Sequence, residues 1–315
     1  MFDVQIRNKT LETPNIVSFE LAPKNGDCLP EFETGSHIDM KFGDNFTRQY
    51  SLINHPKSHE FYKIAVLKDP NSRGGSVALH DNVGIGDAVS ISEPRNLFPL
   101  DITSKRVLLF AGGIGITPIM SMAIELDRLG IDFELHYHSK SQANTAFYQQ
   151  LLSCSFAAKV FFHFSNKSKK DATQIIGAFT PGTNLYTCGP SGYMDYIFDC
   201  ARANSWHEGN LHKENFKADP LATDGTDKPF KLILTRSGKE IQVESDQTAL
   251  EAIEDAGVEI DMSCEMGVCG TCVTVVTCGI PDHRDTYFSA QEKAQNNQFT
   301  PCCSRALSDS LTLDL

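Results

Sequence analysis

The sequence predicts three successive domains: an antiparallel β-barrel, a doubly wound α/β domain and a small α+β domain. Short β-rich segments separated by Gly, Pro and Asn fill roughly the first third of the chain. Continuous apolar runs then alternate with helix-length stretches, and a polar linker precedes a final region of alternating strands and one helix. We place the domains at residues 1–102, 103–222 and 223–315.

The strand pattern of the first domain is clearest in the segments NIVSFEL, SHIDMKF and FYKIAVL. Each combines β-branched and aromatic residues and is bounded by turn-forming residues. Short strands of this kind, following one another without intervening helices, favour a small antiparallel barrel.

The second domain begins with RVLLF, and similar apolar segments (FELHYH, KVFFHF and NLYTCG) recur after helix-length intervals. Strands of a parallel sheet are buried on both faces and therefore appear as continuous apolar runs. Alternation of such runs with helices indicates a doubly wound α/β domain.

The third domain follows the segment KADPLATDGTDKP, residues 217–229, which is the best linker in the chain because it is rich in Pro, Gly, Asp and Thr. The alternating segment FKLILTRSGKEIQVES predicts a β-hairpin, and TALEAIEDAG predicts an amphipathic helix. Together they indicate a small α+β domain.

Composition excludes several functional classes. A formal net charge of −12 argues against nucleic acid as the main partner. From Thr223 onward there are 16 Asp and Glu against 7 Lys and Arg, so the third domain carries most of the excess. This acidic surface is either a solvated face or a docking surface for a basic partner.

The chain shows no sign of membrane insertion or export. No stretch reaches the ~18 apolar residues of a membrane span, and MFDVQIRNKT lacks the pattern of a signal peptide. We therefore expect a cytoplasmic protein that acts as a monomer. In that compartment its ten cysteines are expected to be thiols or metal ligands rather than disulfides.

The segment CEMGVCGTC places Cys264, Cys269 and Cys272 at C-x4-C-x2-C spacing. With a distant fourth cysteine this is the plant-type [2Fe–2S] spacing, whereas zinc sites usually use two separate pairs. Gly267 and Gly270 suit a loop that wraps closely around inorganic sulfide.

Three cysteines could supply the fourth ligand. The strand-like segment VTVVTC would carry Cys278 roughly 20 Å beyond Cys272, at ~3.3 Å per residue, which is too far for a shared cluster. Cys302 and Cys303 follow a long return of the chain, and neighbouring side chains on an extended segment face opposite ways. The residues alone leave the choice between these two open.

Two segments indicate a site for a phosphate and a flat cofactor. In RQYSL, residues 48–52, Arg48 can neutralise a phosphate, Tyr50 can lie against a flat cofactor and Ser51 can bond its edge. Packing on a strand surface is the plain alternative. The segment RGGSVALHD, residues 73–81, places two glycines and a serine before a helix, which offers free amides to an anion.

The segment VLLFAGGIGITPIMSMA, residues 107–123, has the order strand, glycine turn, helix, and its glycines permit a sharp turn and the close approach of a pyrophosphate. Thr117 can cap this helix, with Pro118 in its first turn. In YTCGPSGYMD, residues 186–195, Cys188 would lie at the carboxyl end of a strand, where ligands bind in open α/β sheets. A packed core thiol is the alternative for Cys188.

Across nearly its whole length the chain resembles the phthalate dioxygenase reductase family, the reductases of Rieske oxygenase systems. The resemblance rests on R-x-Y-S followed by G-G-S, on SEPRNLFPL, on the segments 107–123 and 186–195, which are similar to nicotinamide-binding stretches, and on CEMGVCGTC with CCSRA. It implies a flavin domain, a nucleotide-binding domain and a plant-type ferredoxin (β-grasp) domain. It also implies FMN rather than FAD, NADH as the usual electron donor, and a separate terminal oxygenase as partner.

The resemblance also assigns roles to residues. It selects Cys302 as the fourth cluster ligand; the family usually has Val where this chain has Cys303, so a ligand swap is the alternative. It makes Phe216, in ENFKA, the aromatic that covers the flavin ring, with a buried linker anchor as the alternative. The expected cofactor-binding residues are Arg48, Tyr50, Ser51, Leu52, Gly74, Gly75, Ser76, Gly112, Gly113, Gly115, Thr117, Cys188, Gly189 and Pro190. Tyr50, Ser51, Cys188 and Phe216 are expected beside the reacting atoms.

The sequence does not decide between NADH and NADPH as the electron donor. The segment HYHSKSQ lacks an acidic residue to hold the ribose 2′-hydroxyl of NAD, and Ser139 and Lys140 could accept a 2′-phosphate, so NADPH stays possible. The three cofactors together predict electron transfer from NAD(P)H through FMN to the cluster. A P450 or diiron oxygenase as acceptor, or a redox-sensing protein, are the alternatives.

Overall fold

The computed structural model describes residues 1–24, 26, 28–43, 46–70, 74–165, 171–216, 227–262, 264–265 and 267–315. The linker predicted at 217–229 therefore lies outside the described residues as far as 226, and so does Arg73 of the predicted phosphate segment. The chain divides into two compact units, Met1–Phe216 and Lys217–Leu315, which are described separately. None of the helices in the described ranges has the length and apolar character needed to span a bilayer.

The first sheet is an antiparallel barrel with the strand order β4–β3–β6–β1–β2–β5, and β7 pairs with β3. Its strands are β1 (Phe2–Thr13), β2 (Ile16–Pro23), β3 (Ser36–Phe42), β4 (Phe46–Ser51), β5 (Tyr62–Leu67), β6 (Ala88–Ile91) and β7 (Arg95–Asn96), and helix α1 (Gly75–Asn82) follows β5. The two end strands approach each other where Ile53 N donates to Lys63 O at 2.9 Å. Alternate residues of the strands, such as Phe19, Ile38 and Met40, fill the interior.

The second sheet is parallel, with the order β10–β9–β8–β11–β12. Its strands are β8 (Arg106–Gly112), β9 (Asp132–Ser139), β10 (Val160–Phe164), β11 (Thr183–Cys188) and β12 (Leu211–Glu214), and the helices are α2 (Ile116–Leu129), α3 (Tyr148–Ser153), α4 (Ala172–Ile176) and α5 (Ser191–Ala203). Because the strands are parallel, Gly112, Cys188 and Glu214 all lie at the same edge of the sheet.

The barrel and the parallel sheet share one apolar cluster. Ile16, Ile53 and Ala65 of the barrel belong to the same buried cluster as the residues beneath α2. Phe98, in the connection between the two sheets, packs edge-on against Tyr186 of β11 at 5.6 Å between ring centroids. This packing holds the barrel against the parallel sheet.

The second unit is a mixed sheet covered by a helix, with the order β14–β13–β19–β15–β17 and a separate pair β16–β18. Its elements are β13 (Phe230–Leu234), β14 (Glu240–Val243), α6 (Ala249–Asp255), β15 (Thr274–Cys278), β16 (Pro281–Asp282), α7 (Ala290–Lys293), β17 (Gln298–Phe299), β18 (Arg305–Ala306) and β19 (Ser310–Leu313). The predicted hairpin and amphipathic helix are confirmed as β13–β14 and α6. Helix α6 begins with a capping box formed by Thr248 and Glu251, and Ile253 faces the apolar core.

Arg305 anchors the chain just after the two neighbouring cysteines. Its guanidinium is almost fully buried and donates to the backbone carbonyls of Gln247 at 2.6 Å, Glu244 at 3.0 Å and Lys228 at 3.2 Å. These bonds satisfy a buried charge that would otherwise be costly, and they hold the turn at Cys302 and Cys303 against the start of α6.

Candidate cofactor sites

β4 and the start of α1 form a positively charged cradle at the predicted phosphate site. The guanidinium of Arg48 lies over the ring of Phe46, 5.7 Å from its centroid, and donates from Nη1 to Thr47 O at 2.8 Å. Helix α1 begins beside it: a Cβ added to Gly75 would lie 3.1 Å from Arg48 Nε. A fixed positive charge and the free amides of a helix start therefore converge, which fits the phosphate of a flavin mononucleotide.

Three further residues were predicted to bind the cofactor in this region: Tyr50, Leu52 and Ser76. Tyr50 is half-buried; burial raises the pKa of its hydroxyl well above the usual range and Arg48 opposes this. Leu52 is wholly buried in the barrel core, so its side chain is structural, and its amide donates to Ser36 O at 2.9 Å. The Ser76 hydroxyl accepts from Asp69 N at 3.1 Å.

The first nicotinamide loop uses its glycines for two different purposes. A Cβ on Gly115 would lie 2.2 Å from the carbonyl oxygen of Cys188, so that glycine is required by packing between the two loops. Gly113 has φ +57°, and a Cβ there would meet no atom within 4 Å, which leaves room for a ligand. The prediction that Thr117 caps the helix is wrong, because Gly115 is the N-cap and the Thr117 hydroxyl donates back to Ile114 O at 3.1 Å.

The second loop follows β11 and leads into α5. The N-cap of this helix is Pro190, whose carbonyl accepts from Tyr193 N at 2.9 Å. The ring of Tyr193 fills the space that two glycines leave: a Cβ would lie 2.8 Å from it at Gly112 and 3.0 Å from it at Gly189. The two loops are thereby held in register.

One carboxylate at this edge, Glu214, was not among the residues predicted from the sequence. It ends β12 opposite Cys188 in the strand register, and Ser51 Oγ of the barrel donates to its Oε2 at 3.4 Å. Burial raises the pKa of Glu214 to about 8, and the bond from Ser51 opposes this. Burial and the nearby Glu214 also raise the pKa of the Cys188 thiol well above its usual value. Ser51, Glu214 and Cys188 thus meet where β4, β11 and β12 end.

Three other residues were predicted to contact a cofactor: Phe216 after β12, and Ser139 and Lys140 at the end of β9. Phe216 follows β12 by two residues and its side chain is 40% exposed, so it is not a buried anchor. The Ser139 hydroxyl already bonds Thr145 Oγ1 at 2.7 Å and Ser141 O at 3.2 Å, within its own loop. Lys140 is exposed.

The predicted cluster ligands are brought together as two pairs. Cys269 N donates to Cys264 Sγ at 3.4 Å, and a hydrogen bond with the Cys264 thiol lowers the pKa of Cys269 to about 5. Cys272 and Cys302 are both buried, and a hydrogen bond with Cys302 lowers the pKa of the Cys272 thiol. Cys278 ends β15 and is exposed.

The glycines of this loop are required by contacts with neighbouring side chains, and their predicted approach to inorganic sulfide stays a prediction. Gly267 has φ +71° and a Cβ there would lie 2.3 Å from Cys303 Sγ; Gly270 has φ +73° and a Cβ would lie 2.3 Å from the ring of Tyr287. Among the described residues, no three His, Cys, Asp or Glu side chains are placed to hold a metal ion. Two thiol pairs fit a binuclear cluster, in which each iron takes two thiolates.

Comparisons with known proteins identify the family. Residues 232–307 match the model of the 2Fe-2S iron-sulfur cluster binding domain. The chain is 47% identical over 320 residues to the vanillate O-demethylase oxidoreductase of Pseudomonas sp. (strain HR199 / DSM 7063), covering 100% of both chains. It is similar to the solved structure of phthalate dioxygenase reductase, with 37% identity, a TM-score of 0.77 and coverage of 100% of this chain and 98% of that one. The chain belongs to the phthalate dioxygenase reductase family.

A third comparison concerns a fused protein. The structure of an intact type IV self-sufficient cytochrome P450 monooxygenase matches 99% of this chain with 33% identity and a TM-score of 0.78, but only 41% of that longer chain is covered.

Membership of the family confirms the predicted fold class, and it confirms that the chain is an oxidoreductase with a [2Fe–2S] domain. The roles of individual residues in the reductase stay predictions.

Proposed function

We propose that this reductase passes electrons from NADH, through FMN and its [2Fe–2S] cluster, to a separate terminal oxygenase of the Rieske non-haem iron type. We propose further that it acts as a cytoplasmic monomer. A bound flavin supplies the chemistry that joins the two ends, because it accepts two electrons from a nicotinamide and releases them singly to a one-electron centre.

The observation that carries this proposal is the junction of Ser51, Glu214 and Cys188. Ser51 comes from the barrel, which holds the phosphate cradle, and Cys188 follows the strand that leads into the second nicotinamide loop. Glu214 connects them, since it accepts from Ser51 at 3.4 Å and is paired in register with Cys188. Hydride transfer needs donor and acceptor held close together, and this junction would bring the two proposed sites next to each other.

Each cofactor has a proposed set of residues. Arg48, Gly74, Gly75 and Ser76 hold the flavin phosphate, and Tyr50, Ser51 and Phe216 surround the ring, while Leu52 supports this strand end from the barrel core. Gly112, Gly113, Gly115, Thr117, Cys188, Gly189 and Pro190 form the nicotinamide nucleotide loops. Cys264, Cys269, Cys272 and Cys302 bind the cluster. The Ser139 hydroxyl is committed to its own loop and is not free for a 2′-phosphate, which supports NADH over NADPH.

A second candidate is a reductase for a cytochrome P450. It is favoured by one observation, the similarity of this chain to 41% of a self-sufficient cytochrome P450 monooxygenase. The match to vanillate O-demethylase oxidoreductase covers the whole of both chains, and it supports a separate oxygenase component.

The test is reconstitution with alternative acceptors. The purified chain should contain one FMN and two irons, and it should reduce cytochrome c with NADH; a redox sensor would show little turnover. The Rieske oxygenase encoded by a neighbouring gene, or recovered by pull-down, should then form product only with the reductase and NADH. Product formation with a P450 and none with the Rieske oxygenase would favour the second candidate, and released FAD would contradict the flavin assignment.

A further inference from the structure

Two neighbouring residues near the end of β9, Tyr137 and His138, have no role in the proposed cofactor sites. In the strand register His138 lies opposite Gly112 of β8, where the first nucleotide loop begins. Consecutive side chains on a strand face opposite sides of the sheet. Tyr137 belongs to the apolar cluster beneath α2, whereas the ring of His138 lies 5.2 Å from the ring of Tyr193 on α5, measured between centroids. The end of β9 therefore reaches the loop from both sides.

Tyr137 acts directly on the first nucleotide loop from the α2 side. Its side chain is fully buried, and its hydroxyl donates to Gly113 O at 3.1 Å. Burial raises the pKa of this hydroxyl well above the usual range, so it keeps the proton that it donates. Gly113 is the position where an added Cβ would meet no atom within 4 Å. The bond therefore fixes the peptide that borders the open space of the loop.

His138 acts on the same loop from the opposite side, through Tyr193. The Tyr193 hydroxyl and His138 Nδ1 form a hydrogen bond of 2.9 Å. The ring of Tyr193 occupies the gap between the two nucleotide loops, since an added Cβ would lie 2.8 Å from it at Gly112 and 3.0 Å from it at Gly189. The hydrogen bond therefore keeps the ring in this gap.

The imidazole of His138 is itself held in place by a second histidine. His163, its partner in register on β10, stacks on it with 4.3 Å between ring centroids and 12° between the ring planes. His163 Nε2 forms a hydrogen bond of 3.1 Å with His136 Nδ1, and His136 Nε2 forms one of 3.1 Å with Glu134 Oε2. This run of stacked and hydrogen-bonded side chains fixes the orientation of His138.

We propose that Tyr137 and His138 are positioning residues for NADH binding, which hold the first nucleotide loop from opposite faces of the sheet. The inference rests on the proposed function, in which this loop binds the nicotinamide nucleotide. Tyr137 acts through a loop carbonyl and His138 through Tyr193, so neither touches the reacting atoms. A loop that is already ordered costs less to bind, and losing this order should weaken nucleotide binding while leaving the hydride-transfer step nearly unchanged.

The test measures nucleotide binding and flavin reduction separately in the holoprotein. Calorimetric titration with NAD⁺ gives a Kd without turnover, and stopped-flow reduction by NADH gives the limiting rate. Tyr137→Phe and Tyr193→Phe keep the rings and remove the hydroxyls, and His138→Leu removes the imidazole nitrogens. Each should raise the Kd about 3- to 10-fold, the usual effect of one lost hydrogen bond, and change the limiting rate by less than about twofold. His138→Asn should recover most of the affinity, because its amide can take the place of Nδ1.

Two controls separate the hydrogen bond from general effects of substitution. Tyr196→Phe removes a hydroxyl from the same helix, at a ring that is 50% exposed, and should match wild type. The double variant Tyr193→Phe/His138→Leu should bind NAD⁺ about as tightly as either single variant, because both substitutions remove the same bond. Losses that simply add would show that Tyr193 and His138 act independently, and they would overturn the inference.

The remaining outcomes distinguish failure of the inference from failure of the proposed function. If the variants retain FMN and bind NAD⁺ like wild type, the inference is overturned while the proposed function stands. If His138→Asn loses as much affinity as His138→Leu, the imidazole contributes only packing, and the role of His138 is overturned. If NADH does not reduce the flavin of the wild-type protein, the proposed function fails together with the inference.

Discussion

Replacing Arg48 by Ala should weaken FMN binding without affecting the binding of riboflavin, the same ring system lacking the phosphate. Arg48 lies beside the first turn of α1, with its Nε near Gly75, and the Thr47 carbonyl fixes its orientation by accepting from Nη1 at 2.8 Å. If this guanidinium binds the phosphate, its contribution should appear only with the phosphorylated ligand.

The size of the effect follows from the type of contact. A hydrogen bond to a charged group contributes ~1.5–3 kcal/mol, and each 1.4 kcal/mol is tenfold in affinity, so the Kd for FMN should rise by roughly 10- to 150-fold. Arg48→Lys should recover part of this, because it keeps a charge but loses the planar fork. Lys41→Ala is the matched control, since it removes an exposed positive charge from the adjacent strand β3.

The assay is titration of the flavin-free protein with FMN and with riboflavin, followed by flavin fluorescence. Wild type should prefer FMN strongly, and in Arg48→Ala this preference should fall by roughly 10- to 150-fold while the affinity for riboflavin stays unchanged. An equal loss of affinity for both ligands would refute the reasoning, because it would mean that Arg48 supports the ring or the barrel and that the phosphate binds elsewhere.

Three further outcomes are expected. Burial raises the pKa of Glu214 to about 8, so its carboxyl is neutral at pH 7. As the pH rises through 8, the carboxyl gains a negative charge that should slow flavin reduction by NADH in stopped-flow experiments. The Glu214→Gln variant should show no such change of rate with pH. Gly115→Ala should lower the free energy of unfolding by about 1–3 kcal/mol or more in urea, because its Cβ would meet a backbone carbonyl at 2.2 Å, whereas Gly192→Ala, with nothing within 4 Å, should not. If the acidic third domain docks on a basic oxygenase surface, oxygenase turnover limited by electron transfer should fall as salt shortens screening to ~10 Å at 0.1 M; a salt-independent rate would leave a solvated surface.

The features that could be predicted from the sequence are those whose chemistry is local in the chain. Cys264, Cys269 and Cys272 lie within nine residues, and their spacing alone indicates the type of cluster. The strands of the parallel sheet were also predictable, because burial on both faces leaves continuous apolar runs. Very short strands such as β16, β17 and β18 have no comparable signal, since two residues carry no periodicity.

Glu214 illustrates what the sequence did not provide. In the chain it lies 163 residues from Ser51 and follows a short edge strand, and nothing in the segment HKENF marks it as different from a surface carboxylate. Its role depends on β12 pairing with β11, which sets it opposite Cys188, and on the barrel packing against that edge. One weak signal was present in the sequence. Glu214 stands at the end of a strand in the α/β domain, and ligands bind at the carboxyl ends of the strands in such sheets.

The glycine loop at the end of β8 shows that one sequence motif can combine two steric requirements. In the sequence, Gly112, Gly113 and Gly115 form one pattern, and all three were assigned to the nucleotide. In the structure, the space beside Gly112 is taken by Tyr193 and the space beside Gly115 by the Cys188 carbonyl, so only Gly113 leaves open room. Packing between the two loops and approach of a ligand both require glycine for the same steric reason, the missing Cβ. The sequence pattern cannot distinguish a glycine required for packing from one required for ligand binding, but substitutions can. Gly115→Ala should affect stability, whereas a change at Gly113 should affect nucleotide binding first.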